Sequence, residues 1–519
     1  MSLLIRQANV ITMSEGSGSS PQTLDLRIDG QNIAAIGPNL EQIPGDEVID
    51  GRDRLVTPGF INAHTHSWES IYKGRYDNMP LEAWQLYTYP PLGAPPRSPD
   101  FIRARSQLFA LENLKSGVTT VVDDVLETPS LDFGQLEAVV DSYDEIGIRA
   151  NVSGHVKNVP FLDTTPYVSE HLDRETIARA HGESLVTANE YLDFSEQAIR
   201  RFGGRGNGRI NYMLAPSAPQ RCTPELLTGA VALAGRYGIE CHIHMLETKT
   251  QLVTGQEFYG MSLPQYMQSI DALSRNTTFA HGIWVTDEDI EILADHEVSI
   301  SHNPISNLKL GSGILPWRKY QDAGVNLGLG TDGWSSSDTP RLLEVIKMAS
   351  LLHKVTDSDT DRWPTVEETL RAGTINGARS AMLDRSIGSL EVGKRADLLI
   401  WDLKTLNFTP RQRLDHQLVY SENGSSLEYV MVDGRIVVDH GTLTTLDEQG
   451  IVDEFNGYLP EIHAWQDRTD QLNQVFHPAF AAMYETCRHA PSPINRWADM
   501  SDANAAGHRP ASGIPSLVS

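Results

Sequence analysis

Pro58-Gly-Phe-Ile-Asn-Ala-His64-Thr-His66 is a short apolar run that ends in two histidines one residue apart. Gly59 to Ala63 read as a buried strand. Side chains at i and i+2 of a strand point to the same side, so both imidazoles face one point at its C-terminal end. Working outward from this stretch, seven more short runs recur between longer helix-patterned segments. They are Val118-Thr-Thr-Val-Val, Ile148-Arg-Ala-Asn-Val, Ile210-Asn-Tyr-Met-Leu, Ile239-Glu-Cys-His-Ile, Thr277-Thr-Phe-Ala, Val298-Ser-Ile-Ser and Val325-Asn-Leu-Gly-Leu. Strands alternating with helices predict βα units and a parallel sheet. Eight of them predict an α/β protein with a (β/α)8 TIM barrel over residues 58–387.

On either side of that barrel the style changes. Leu3-Leu-Ile-Arg-Gln-Ala-Asn-Val-Ile-Thr, Leu24-Asp-Leu-Arg-Ile-Asp-Gly and Asn32-Ile-Ala-Ala-Ile-Gly alternate in the β manner, and so do Ala396-Asp-Leu-Leu-Ile-Trp-Asp, Tyr429-Val-Met-Val-Asp-Gly-Arg and Ile436-Val-Val. Residues 1–57 plus 388–450 are therefore expected to form one small composite β-sandwich domain built from both chain ends. Residues 451–519 read as a C-terminal extension with one helix, Gln471 to Cys487. Its Pro/Gly/Ala/Ser-rich last twenty residues read as poorly ordered or docked on a neighbour.

Chemistry-bearing residues gather at the C-terminal ends of the proposed barrel strands, where barrel enzymes build their sites. Strand one gives His64 and His66, strand five His242-Ile-His244-Met-Leu-Glu247, strand six His281, strand seven His302, and strand eight Asp332 in Gly330-Thr-Asp-Gly333. A lone strand-end histidine is more often a hydrogen-bonded structural residue than a ligand; His302 is a candidate substrate contact or, followed by Asn303-Pro304, simply braces its turn. The joint pattern over separate strand ends is hard to produce by core packing. Nitrogen ligands with one carboxylate suit one catalytic divalent ion, zinc or alternatively iron, with an open position for water. Within strand five, His244 lies nearer the mouth and is the expected ligand; His242, two residues deeper, is left to the core or to ligand support.

The stretches around His64 and His66, His244-Met-Leu-Glu247-Thr, Ala280-His281-Gly, Ser301-His302-Asn-Pro-Ile-Ser-Asn-Leu-Lys-Leu-Gly and Leu329-Gly-Thr-Asp332-Gly closely resemble the amidohydrolase superfamily. Within it they are similar to the branch of S-adenosylhomocysteine/methylthioadenosine deaminases, guanine deaminase and triazine hydrolases. The resemblance covers roughly residues 1–450, including Gly388-Ser-Leu-Glu-Val-Gly-Lys-Arg-Ala-Asp-Leu. It implies that His64, His66, His244 and Asp332 ligate one metal, that His281 contacts the attacking water or substrate, and that Glu247 shuttles protons. Two-metal members carry a carboxylated lysine on a middle strand. The end of strand four, Met213-Leu-Ala-Pro-Ser-Ala-Pro-Gln-Arg-Cys, has no lysine, and Lys157 after strand three reads as a solvated loop residue. Ser217 and Gln220 stand where family deaminases often carry His and Tyr, at positions that touch substrate. Trp84 in Met79-Pro-Leu-Glu-Ala-Trp is a candidate wall of the substrate-covering loop. Trp334 can stack on a flat ring or pack in its loop. The expected reaction is hydrolytic deamination of a nitrogen heterocycle of the aminopurine, aminopyrimidine, pterin or aminotriazine type. The alternatives are hydrolysis of an amide or urea C–N bond or of a chloro-substituted carbon on the same scaffold and, in another class, a catalytically silent assembly protein.

Bulk composition narrows the partners. Lysine and arginine total 42 against 68 aspartate and glutamate, a formal charge of −26, which disfavours nucleic acid and anionic membranes and leaves a small-molecule substrate. Three scattered cysteines without a CxxC pair fit a reducing cytoplasm. No secretory leader or membrane span is evident from the N-terminus or from apolar runs. The resemblance and the added C-terminal helix suggest a homo-oligomer, dimer or larger.

Overall fold

A computed structural model describes residues 2–127, 131–182 and 185–498. Eight parallel strands form the barrel: Phe60–His66, Val118–Asp123, Arg149–Val156, Ile210–Pro216, Cys241–Met245, Thr277–His281, Ser299–His302 and Asn326–Leu329. Each pairs in parallel with its sequence neighbour. The ring closes through a break in the last strand. Asn326–Leu329 pairs with strand seven, and after the kink at Gly330 and Thr331 the two-residue piece Asp332–Gly333 pairs with Thr65 and His66 of strand one. The kink turns Asp332 inward over the end of strand one. All eight expected strands are present, displaced by at most a few residues at their ends.

The second sheet runs mostly antiparallel and joins both chain ends. Leu398–Asp402 pairs with Arg54–Pro58 on one side and Leu427–Val432 on the other. The first strand, Ser2–Val10, shifts register between Ile5 and Ala8. That shift lets its beginning pair with Asp46–Asp50 and its end with Arg54–Pro58. These two partner strands escaped the sequence reading: Asp46–Asp50 exposes most of its residues and shows little apolar alternation. Arg149, at the start of barrel strand three, ties the two sheets together. Its guanidinium donates to Asp397 at 2.7 and 3.0 Å and to Asp433 at 3.3 Å, all buried.

Beyond the second sheet lie helices Glu448–Gly457, Leu459–Asn473 and His477–His489. The single helix expected over Gln471 to Cys487 is interrupted by a tight turn at Gln474–Phe476. Pro478 favours a fresh helix start there, because its ring is tolerated in a first turn but not in a helix interior. Trp465, Phe476, Phe480 and Met483 of these helices are buried against Trp68, Tyr72, Trp84 and Tyr87 from the segment after barrel strand one. The chain then crosses the barrel mouth as a strap. Arg496 donates to the carbonyls of Ile283 (3.0 Å) and Val285 (2.7 Å), and Trp497 Nε1 to Gly311 (3.0 Å). The last twenty residues, expected to be poorly ordered or docked, lie outside the described residues.

Candidate metal centre and active site

The strand-one histidines, His244, His281 and Asp332 are all buried at the mouth of the barrel. Their hydrogen bonds fix where the protons are. His66 Nδ1 donates to the Asp124 carbonyl at 2.8 Å, and His244 Nδ1 donates to the Ser217 carbonyl at 2.9 Å. A neutral imidazole carries one N–H, so both Nε2 atoms present lone pairs. They face each other at 3.2 Å. His64 Nδ1 is 2.7 Å from His242 Nε2, and His242 Nδ1 is 3.0 Å from Glu240 Oε1. A carboxylate only accepts, so His242 donates to Glu240 and His64 donates to His242. His64 Nε2 is then a third lone pair, with no hydrogen-bond partner.

Asp332 Oδ1 lies 3.2 Å from His64 Nε2 and 3.3 Å from His66 Nε2. Four acceptor atoms are thus gathered with no proton between them, His64 and His66 Nε2 against Asp332 Oδ1 and His244 Nε2 against His66 Nε2, an arrangement that repels itself unless a cation sits among them. Ligand atoms about 2.0–2.1 Å from a tetrahedral zinc are separated by about 3.3–3.4 Å, close to the spacings found here. The donor set fits a divalent ion of the zinc type. Burial holds His64 down to about 4 and His281 down to about 3, so both are neutral near pH 7.

Around these atoms stand further ionisable and hydrogen-bonding groups. Ser306 donates to Asp332 Oδ2 at 2.6 Å and fixes the carboxylate plane. His281 Nδ1 accepts from Asn307 Nδ2 at 2.8 Å, which leaves its proton on Nε2, 3.5 Å from Glu247 Oε2. Glu247 is pushed well above the ordinary glutamate value by burial first and by the charge of Asp332 second. His281 and Asp332 both hold left-handed backbone, φ 76° and 62°. Such strain in residues with side chains clusters at functional sites.

The strand-eight motif owes its glycines to this crowding. A Cβ on Gly330 would lie 2.4 Å from Asn303 Oδ1 and 2.8 Å from the His64 Cβ. A Cβ on Gly333 would meet Glu69 Oε2 at 1.8 Å. Glu69, on the turn Ser67–Tyr72, is fully buried, accepts from the Ser335 N–H at 3.2 Å, and is raised well above its usual value by burial and then by Asp332.

The side of the mouth facing strands two to four was largely missed from sequence. Asp124 accepts from Ser153 (2.7 Å) and from His155 Nδ1 (2.8 Å). His155 lies between Tyr89 and His244, ring centroids 6.0 and 6.1 Å away, and lines a small cavity of about 20 Å³ with Ser153 and Glu127. The Asp123-Asp124 pair and the odd-numbered positions of strand three carried the signal, through the i, i+2 parity that singled out His64 and His66. Ser217 uses its carbonyl on His244, while Arg221 reaches its hydroxyl at 3.4 Å and Gln85 at 3.0 Å. Gln220 is buried beside it with Oε1 unpaired. Trp84 stands in the mouth, its Nε1 donating to Ser335 at 2.8 Å and its ring 5.9 Å from Tyr89.

Two expected substrate contacts are not brought to this cluster. His302 turns behind its strand, with Nε2 3.1 Å from His353 Nε2 and its ring against Trp317. Its strand-end position alone does not fix the face it occupies. Trp334 packs on Phe109 of the helix Pro99–Lys115 at 5.5 Å, with the Lys73 ammonium 4.7 Å from its ring centre. Lys157 is half-buried, its ammonium 5.4 Å from the centre of the Phe161 ring, rather than fully solvated.

Comparison with known proteins follows the same lines. A 5-methylthioadenosine/S-adenosylhomocysteine deaminase of Caldanaerobacter subterraneus subsp. tengcongensis is 32% identical over 87% of this chain and 96% of its own length. A 5′-deoxyadenosine deaminase of Methanosarcina acetivorans is 33% identical over 89% of this chain and 98% of its own. Among solved structures, an adenosine deaminase from Xanthomonas campestris with bound zinc superposes with a TM-score of 0.77 at 25% identity, covering 90% of this chain and 98% of that one. An atrazine chlorohydrolase from Arthrobacter aurescens TC1 complexed with zinc gives 0.77 at 24% identity, covering 88% and 100%, and shares the fold. The sequence model of the amidohydrolase family matches residues 55–437, a span that takes in every cluster residue from His64 to Asp332. The chain belongs to the amidohydrolase family.

Proposed function

We propose that the protein is a metal-dependent aminohydrolase that replaces an amino group on an electron-poor carbon of a nitrogen heterocycle by oxygen, releasing ammonia. His64, His66, His244 and Asp332 hold one divalent ion, zinc in the first place. The reading is carried by the lone pairs of His64 and His66 meeting Asp332 Oδ1 at 3.2 and 3.3 Å, with His244 Nε2 3.2 Å from His66 Nε2, spacings that suit zinc. A bound ion of this kind supplies Lewis acidity that makes water a nucleophile near neutral pH.

The residues of the chain do the rest. Asp332, held by Ser306, accepts a hydrogen bond from the attacking water and aims it. Glu247, raised well above the ordinary glutamate value by burial, relays the two protons of the water in turn, the first to a ring nitrogen as the new C–O bond forms and the second to the amine as the C–N bond breaks. His281 presents its Nε2 proton to the oxygen on which charge develops. His155, anchored by Asp124, and the group Gln85, Gln220 and Arg221 form a polar wall for the far edge of the ring, with Trp84 and Tyr89 as apolar cover. The relatives named for adenosine-type substrates place purine nucleosides on the panel to be tried, beside aminopyrimidines, pterins and aminotriazines.

The test is ammonia release from that panel by zinc-loaded protein, with Glu247→Gln beside wild type. Turnover is expected to fall by several orders of magnitude in Glu247→Gln while the zinc content stays at one per chain. Equal turnover in the two proteins removes Glu247 from the proton-transfer role.

A further inference from the structure

Glu240 is a carboxylate in the barrel interior, its side chain fully shielded from solvent, two residues below His242 on the strand-five run. Its Oε1 accepts from His242 Nδ1 at 3.0 Å and its Oε2 from Asn151 Nδ2 at 3.1 Å; that amide also reaches the Ala381 carbonyl at 2.9 Å. Among the described residues no lysine or arginine lies within ion-pair distance of it. An ionised carboxylate without a counter-charge is costly to bury. His242 continues the chain upward, with Nε2 2.7 Å from His64 Nδ1, and His64 Nε2 ends it among the four converging acceptors.

We infer that Glu240 and His242 are positioning residues for the metal centre, a buried carboxylate–imidazole relay that pins the proton of His64 on Nδ1 and extends negative charge toward the cation. The inference rests on the metal-centre reading above. Two effects follow. The relay removes the His64 tautomer that would point an N–H into the site, and it makes the His64 nitrogen a stronger donor. Partners of this kind behind ligating histidines commonly contribute 10–100-fold in metal affinity. The relay also places the counter-charge for Glu240 two imidazoles away, so the apoprotein carries an uncompensated buried charge that binding of the ion relieves. His66 and His244 are oriented differently, each by one neutral backbone carbonyl. A second buried carboxylate, Asp124, lies 3.9 Å from His66 Nδ1 and faces the centre from that side without an intervening imidazole, so the relay through His64 is one of two routes by which charge reaches the centre.

Glu240→Gln keeps shape and volume and removes the charge. Zinc affinity of the full-length protein, measured by competition with a chromophoric chelator, is expected to weaken about 10–100-fold. Thermal unfolding gives the second readout. A residue with a merely structural role would lower the midpoints of apo and zinc-loaded protein together. The relay predicts instead that the apoprotein holds or gains stability, while the increment conferred by zinc shrinks by about 1.4–2.7 kcal/mol, the same fold-change at ~1.4 kcal/mol per decade. If Glu240→Gln does not fold, Glu240→Asp, which keeps the charge but withdraws it by one methylene, is expected to weaken zinc binding by about threefold or more. An unchanged zinc affinity and an unchanged zinc increment in the variant that folds overturn the relay. Failure of the wild-type protein to bind one zinc would instead overturn the metal-centre reading beneath it.

Discussion

Replacing Gly333 by alanine adds a single carbon at the most crowded point of the site. The new Cβ would lie 1.8 Å from Glu69 Oε2, 2.1 Å from its Cδ and 2.7 Å from its Oε1. Ordinary contact needs about 3.4 Å or more, so one group must move by roughly 1.5 Å. The backbone raises no separate objection, since Gly333 is not among the left-handed residues. Glu69 has little freedom, being fully buried and held by the Ser335 N–H. Overpacking of this kind costs about 1–3 kcal/mol, and a lost hydrogen bond to a buried acceptor adds about 1 kcal/mol. If the backbone yields instead, Asp332 moves with it, and a misplacement of about 1 Å at a reacting group costs on the order of 100-fold in rate. Gly333→Ala is therefore expected to lower the thermal midpoint by roughly 2–5 °C and turnover by about two orders of magnitude. Glu69→Ala in the same chain removes the obstructing carboxylate, so the double variant should be more stable than the sum of the singles predicts, by about 1 kcal/mol or more. A Gly333→Ala protein with wild-type midpoint and turnover, or strictly additive effects in the cycle, would refute the steric account.

Further outcomes follow from other groups. His155→Gln keeps an N–H for Asp124 but withdraws the ring nitrogen from the cavity; KM in the ammonia-release assay should rise about 3- to 10-fold with kcat changed less, as for loss of one uniform binding contact. An unaltered KM would place His155 outside the substrate. His353 is lowered from 6.5 to about 3 by burial, with Arg318 adding to it, and burial lowers His302 beside it as well. Between those two pH values the unfolded chain holds a proton that the folded one does not. Stability is thus full above about pH 6.5 and falls as pH drops toward 3, by up to ~1.4 kcal/mol per pH unit for each such group. His353→Gln should flatten that acid limb of the midpoint-against-pH curve, and an identical limb in the variant would contradict the assignment.

How much of this was legible beforehand depends on which physical signal each residue carries. The barrel strands announce themselves because they are buried on both faces and read as continuous apolar runs, such as Val118–Asp123. The histidines of strand one are legible through parity, since i and i+2 share a face. Parity also places Ser153 and His155 together beside Asp124, yet without the neighbouring strand nothing marks that face as the mouth. Glu69 and Glu240 look like ordinary charged residues in sequence. Only the fold shows that one fills the space beside Gly333 and the other sits below His242. Trp334 and His302 fail for the converse reason: each follows a strand end, and the turn after it decides between the mouth and the outer helices. The interrupted last barrel strand was readable as Gly-Thr-Asp-Gly but not as a closure, because that depends on pairing with Thr65 and His66 some 270 residues earlier.

The strap formed by Arg496 and Trp497 ties the far end of the described chain to loops that border the catalytic mouth. Chain termination near residue 446 would leave both β-rich units intact yet strip the cover from Trp68, Tyr72 and Tyr87. A shortened protein of that kind would present a greasy patch beside the entrance, prone to self-association. Attachment of a purification handle or fusion partner is for the same reason safer at the N-terminal end, whose strand Ser2–Val10 belongs to the sheet rather than to the mouth.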